Sequence, residues 1–94
     1  MILIIDNREQ KLDIKANDKL KVIDDLCKIK KFEQRPYALL LLDVEVDGEG
    51  IIKGYNYYFE ELLISLDIIA IITTKTSQKL QEICDYYKIP LIKT

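Results

Sequence analysis

Three short, uninterrupted apolar runs constrain this chain more than any other feature. They are Met1–Ile5 (MILII), Tyr37–Leu42 (YALLLL) and Ile68–Ile72 (IIAII), and each runs into a polar side chain: Asp6, Asp43 and Thr73. Runs this short and this uniformly apolar read as strands buried on both faces. Between them the apolar residues change period. Tyr55, Phe59, Leu62, Leu63 and Leu66 form one helical stripe, and Leu80, Ile83, Cys84 and Tyr87 form another. A third helix is expected to open after Asn17 and Asp18, carry Leu20, Ile23, Leu26 and Cys27, and close near Phe32 ahead of Pro36. Buried strands alternating with amphipathic helices predict one layered α/β domain over residues 1–94, with a mainly parallel sheet.

Local signals add detail. Lys11–Ala16 alternates polar and apolar residues and could pair back on the first strand as a hairpin. Val44 and Val46 alternate with Glu45 and Asp47, Asp47-Gly48 marks a tight turn, and Ile51–Tyr55 could return antiparallel. One or two hairpins would make the sheet mixed. Asn56 is placed to cap the helix of the Tyr55–Leu66 stripe, with Glu60 and Glu61 in the first turn. The hydroxyl run Thr73–Ser77 is placed to cap the helix that carries Leu80, Ile83, Cys84 and Tyr87. Pro90 ends that helix, and Leu91-Ile92 makes a short last strand.

Composition removes several function classes. The chain has no histidine, so a Ser-His or Cys-His nucleophile within one chain is excluded. A net charge of −2 carries no basic stripe of the kind that binds nucleic acid non-specifically. The local run KIKKFEQR, Lys28–Arg35, reads as a solvated helix end. Cys27 and Cys84 lie too far apart in sequence for a C-x-x-C pair and read as buried thiols of a reducing compartment. The start MILIIDNRE lacks the basic n-region of a signal peptide, and the most apolar region, Leu62–Ile72, is too short to span a bilayer. These readings point to a cytoplasmic protein without membrane contact.

In open parallel sheets, ligands bind beyond the carboxyl ends of the strands. That rule gathers Asp6, Asp43, Thr73, Thr74 and Lys93. At this point the chain resembles the receiver domains of response regulators. "ILIID" is similar to the first receiver strand, and "ALLLLDVEVDGEG" to the third with its terminal aspartate, loop and glycine. "IAIITT" is similar to the fourth strand with its hydroxyl, and "IPLIKT" to the fifth with its lysine. The likeness is carried mainly from Asp43 onward; the first strand ends in Asp6-Asn7 where receivers usually place two acids. The resemblance implies a three-layer Rossmann-like fold, with Asp43 as catalytic phosphoacceptor and Thr73 or Thr74 with Lys93 on the phosphoryl group. It also implies a Mg²⁺ held by Asp6 and Asp43, and the ion would neutralise the incoming phosphate.

A second likeness competes. "ILIIDNREQ" and "SQKLQEICDYYKIPLI" are similar to parts of structure-specific nuclease domains, which hold a metal on acids around a hairpin. That likeness implies Asp6, Asp43 and Glu45 as metal ligands, but the Glu-Arg-Lys those enzymes carry is missing here.

Each candidate also has a purely structural reading. Asp6 and Asp43 could open turns, Thr73–Ser77 could only cap a helix, and Lys93 could be a solvated end. The expected function is a small regulatory or binding module rather than an enzyme, the alternatives being a nuclease-like or nucleic-acid-associated domain and an oligomerising protein without a site. Tyr58 and Tyr86 fall off the apolar stripes, which suggests a protein partner or a homodimer.

Overall fold

The computed structural model describes residues 2–10 and 37–94, and the backbone of residues 20–23. Strands β1 (Ile2–Asp6), β2 (Leu20–Ile23) and β3 (Ala38–Leu42) are the first three of a five-stranded sheet. After β3 the chain makes a small antiparallel ribbon, β4 (Ile51–Ile52) with β5 (Tyr57–Tyr58), before helix α1 (Phe59–Ser65). Strand β6 (Ala70–Thr73), helix α2 (Gln78–Tyr87) and strand β7 (Leu91–Lys93) complete the described elements. The main sheet runs β2-β1-β3-β6-β7, with every neighbouring pair parallel. The chain is thus a small α/β domain with a mainly parallel sheet, as the alternation of apolar periods predicts.

The sheet's two faces are set by the period-two alternation of side chains. Leu3, Ile5, Leu39, Leu41 and Ile71 point to one face and are fully buried. There they meet Phe59, Leu62 and Leu63 of α1 and Leu80, Ile83 and Cys84 of α2 in one core. Each such side chain contributes roughly 1.5–3 kcal/mol on burial. Ile4, Leu40, Ile72 and Ile92 share one register on the opposite face, where Ile4 is buried and Ile92 is half exposed.

The excursion between β3 and α1 is built on the same alternation. Val44 and Val46 are buried and join the core while Glu45 between them is exposed. Val46 bridges Ile52 antiparallel, and Asp47 turns the chain by accepting from the backbone N–H groups of Glu49 and Ile51. Phe59 donates its backbone N–H to the carbonyl of Gly50, which ties the turn to the start of α1.

Two expectations are corrected. Leu20–Ile23 is not the opening of a helix but the edge strand β2, parallel to β1. Leu20 and Ile23 fit a helical stripe, yet a short apolar run fits a buried strand equally, and the outer edge of β1 supplies the backbone partners that decide it. Asn56 does not cap α1; it sits in a left-handed turn at φ 51°, and the N-cap position is Tyr58 without a side-chain cap. The expected Lys11–Ala16 hairpin, the Asn17-Asp18 cap, Cys27 and the Lys28–Arg35 cluster lie outside the described residues. Among the described residues, no helix is long and apolar enough to cross a membrane.

Candidate functional site at the carboxyl edge of the sheet

The strand order places a switch point between β1 and β3, because the next strand of the sheet after β1 is added on one side of this pair and the next after β3 on the other. A crevice outside the strand ends is expected there. The residues that follow the two strands meet at this point. Asn7 donates its backbone N–H to the carbonyl of Leu42 at 2.9 Å and its side-chain amide to the carbonyl of Asp43 at 3.3 Å.

Asp6 ends β1 and is buried, its carboxylate fully covered. Arg8 meets it in a two-pronged pair: Nε reaches Oδ1 at 2.9 Å and Nη2 reaches Oδ2 at 3.0 Å. The backbone N–H of Arg8 adds a third bond to Oδ1 at 3.1 Å. Planar guanidinium and carboxylate match in this geometry, which is stronger and more directional than a lysine contact. The hydrogen bond to Asp6 raises the Arg8 pKa, and the charges of Asp6 and Asp43 raise it further against partial desolvation.

Asp43 follows β3 with its backbone in the left-handed region, φ 58°. Asp tolerates this conformation better than most residues. Its backbone N–H donates to Thr74 Oγ1 at 2.8 Å, and its carboxylate meets Lys75 Nζ at 2.6 Å. Lys75 also reaches Glu45 Oε1 at 3.5 Å, while Lys53 meets the other Glu45 oxygen at 3.6 Å. The resulting chain Asp43–Lys75–Glu45–Lys53 alternates in sign. The hydrogen bond to Asp43 raises the Lys75 pKa, with the Asp43 and Glu45 charges adding to it. Asn7, Asp43, Glu45, Lys53, Gly54 and Lys75 line one depression here. An adjoining one shares Glu45 and Lys75 and extends over Thr74 and Ser77 to Lys93.

The residues singled out from sequence are therefore distributed unevenly. Asp43, Glu45 and Thr74 stand together, and Lys93 borders the second depression. Thr73 is fully buried, and its hydroxyl closes a turn by donating to the Lys75 carbonyl at 2.7 Å and accepting from the Lys75 N–H at 3.3 Å. Arg8, Lys53 and Lys75 were not among the candidates, yet they meet the acids. Only their positions offered a signal: Arg8 and Lys75 each come two residues after a strand-terminal residue, and Lys53 directly follows the return strand β4, opposite Glu45.

A Mg²⁺ ion needs several hard oxygen donors free to face it. Asp6 is held by Arg8 and Asp43 by Lys75, and among the described residues no three acidic or thiol side chains group to hold a metal. The donor set does not fit the ion in this arrangement. What the edge offers instead is alternating charge with hydroxyl and amide donors, suited to exchanging internal ion pairs for those of a ligand. Compared with protein-family models, curated proteins and solved structures, the chain matches none.

Proposed function

We propose that this chain is a small cytoplasmic regulatory or binding module of receiver-like architecture, without robust catalysis of its own, whose partner is a protein or a second copy of the chain. One observation carries the reading. At the switch point between β1 and β3 the carboxylates that would have to act are neutralised by cations of the same chain, Asp6 by Arg8 and Asp43 by Lys75. A carboxylate whose oxygens are committed to a cation of its own chain is a poor nucleophile toward phosphorus. It remains a good recognition group, because a ligand that carries its own charges can exchange with either partner. The parallel order β2-β1-β3-β6-β7 supports the receiver-like architecture, being the doubly wound order with a crevice at that switch point.

A second reading, a nucleic-acid-associated domain, draws on the ribbon. Lys53 donates its backbone N–H to the Glu45 carbonyl at 2.9 Å, which sets a cation beside the acids of the edge. One experiment tests both. The protein is incubated with acetyl phosphate and Mg²⁺ and its intact mass measured, and in parallel with labelled single- and double-stranded DNA and RNA. The expected result is no phosphoryl adduct and no cut or retarded nucleic acid. An adduct absent from Asp43→Asn would make the chain a phosphoacceptor. Retardation or cleavage lost with Lys53→Met would favour the second reading.

A further inference from the structure

Apart from the depressions of the carboxyl edge, with which it shares no lining residue, the turn before β4, the junction of β5 with α1, and the start of α2 bound a shallow groove. Its volume is about 330 Å³, and Glu49, Tyr58, Glu60, Glu61, Ile64 and Lys79 line it. Two large apolar side chains stand open there: Ile64 is 69% exposed and Tyr58 is 52% exposed. Ile64 lies one turn beyond Glu60 on the outer side of α1, opposite Phe59, Leu62 and Leu63, which enter the core.

The charges of this groove differ in kind from those of the edge. At the edge each acid is met by a cation of the chain. Here, among the described residues, Glu49 and Glu61 form no ion pair, and Glu60 accepts only a 3.3 Å bond from the Tyr87 hydroxyl. The α1 dipole accounts for Glu60 and Glu61 in the first turn, but not for Glu49 on the preceding loop or for an outward isoleucine. Three carboxylates against one ammonium repel nucleic acid and anionic lipid. The apolar pair rules out a partner recognised by charge alone.

We propose that this groove docks a basic segment of another protein, one that sets an apolar side chain between Tyr58 and Ile64 and its lysines or arginines against Glu49, Glu60 and Glu61. Apolar anchors at the centre with complementary charge on the rim are the anatomy of a protein interface. The site is separate from the carboxyl edge, so the inference stands or falls without the reading given above. A second copy of the chain is the competing occupant.

The test uses a fluorescein-labelled peptide of lysine and leucine with one phenylalanine, followed by polarisation at low salt. Two controls carry glutamate in place of lysine, and serine in place of the apolar residues. The first peptide is expected to bind and the controls are not. Ile64→Ser should weaken binding about tenfold through the lost anchor. The double variant Glu49→Gln, Glu61→Gln should weaken it roughly three- to tenfold, an effect that shrinks in high salt. Glu82→Gln removes a single charge from the exposed side of α2, outside the groove, and should change nothing. All these side chains are exposed, so unchanged thermal melts by circular dichroism accompany intact folding. The proposal is overturned if the lysine-leucine peptide does not bind, if the lysine-serine peptide binds equally, or if Ile64→Ser leaves binding intact. It is also overturned if the unliganded protein sediments as a dimer that Ile64→Ser dissociates.

Discussion

Asp43 has two attachments of different worth. Its backbone N–H is held at 2.8 Å by Thr74 Oγ1, and its carboxylate is held by Lys75, a pair in which both side chains are nearly half exposed. A hydrogen bond that fixes a left-handed backbone in a half-buried loop contributes about 1 kcal/mol. An exposed ion pair is screened and contributes little. Thr74→Val should therefore lower stability by about 1 kcal/mol in urea unfolding, whereas Lys75→Met should leave the urea midpoint nearly unchanged. The Lys75 pair also has a definite pH sign. Its folded pKa is raised above the ordinary 10.5, so its small contribution is complete below that value and lost as pH rises through the folded one. A wild-type minus Lys75→Met difference in Tm that grew with rising alkaline pH would contradict that assignment.

The strand-terminal position of Asp43 was legible in the sequence because a buried strand must end where its apolar run ends. Its neighbours were less so. Thr74, on the adjoining strand end, follows from the parallel order of strands, but Lys75 was hidden because nothing in a hydroxyl-rich run distinguishes a lysine that folds back over the edge from one that points to solvent. Arg8 was missed for a related reason: Asp6-Asn7-Arg8 has the composition of any polar turn, and only the buried Asp6 carboxylate makes the arginine necessary.

At the scale of elements, α2 shows how local chemistry and packing agree. Ser77 caps it by accepting from the Leu80 N–H at 3.1 Å, and the same hydroxyl donates to the Val46 carbonyl at 2.8 Å. One side chain thus starts the helix and ties it to the ribbon. Ser77→Ala should cost about 1–2 kcal/mol, at the upper end for a lost N-cap because two bonds are lost together. Equilibrium urea unfolding measures this, and a loss near zero would show that the tie to Val46 carries no load. The other end of the helix is under strain. Lys88 takes a left-handed conformation, φ 56°, and its N–H reaches the carbonyls of Cys84 and Asp85. Glycine adopts that conformation without steric cost, so Lys88→Gly should gain up to about 1 kcal/mol. A lowered Tm in that variant would refute the strain.

Elements whose apolar period is unambiguous were legible from sequence: β1, β3, β6, the bodies of α1 and α2, and the Asp47-Gly48 turn. β2 was not, because Leu20–Ile23 satisfies a helical stripe and a buried strand alike and only the free edge of β1 chooses. The start of α1 was displaced for a similar reason. Asn56 has the chemistry of an N-cap, but the ribbon pairing Ile51 with Tyr58 and Ile52 with Tyr57 takes up those residues first. In both places a tertiary pairing outweighed local propensity.

At the scale of the molecule, Cys84 can report whether the domain opens as one unit. Its side chain is fully buried in the core, beside Leu80 and Ile83 on α2. Burial pushes its thiol pKa up from 9.0 to about 11, with the nearby Asp85 charge adding to the shift. The folded state therefore holds the proton more tightly than the unfolded chain does. Its contribution to stability is complete below pH 9 and is lost as pH rises toward about 11, because there the unfolded thiol ionises first. The thiolate is the reactive form, so Cys84 should be inert at pH 8 while folded. To expose it, α2 must leave the sheet, which breaks the Ser77–Val46 tie and uncovers Leu39, Leu41 and Ile71 at once. Labelling with iodoacetamide, located by peptide mass mapping across a urea series, should track the loss of circular dichroism in a single transition. Labelling that preceded that loss would mean α2 undocks alone, and the groove it shares with α1 would then be a surface that opens before the core does.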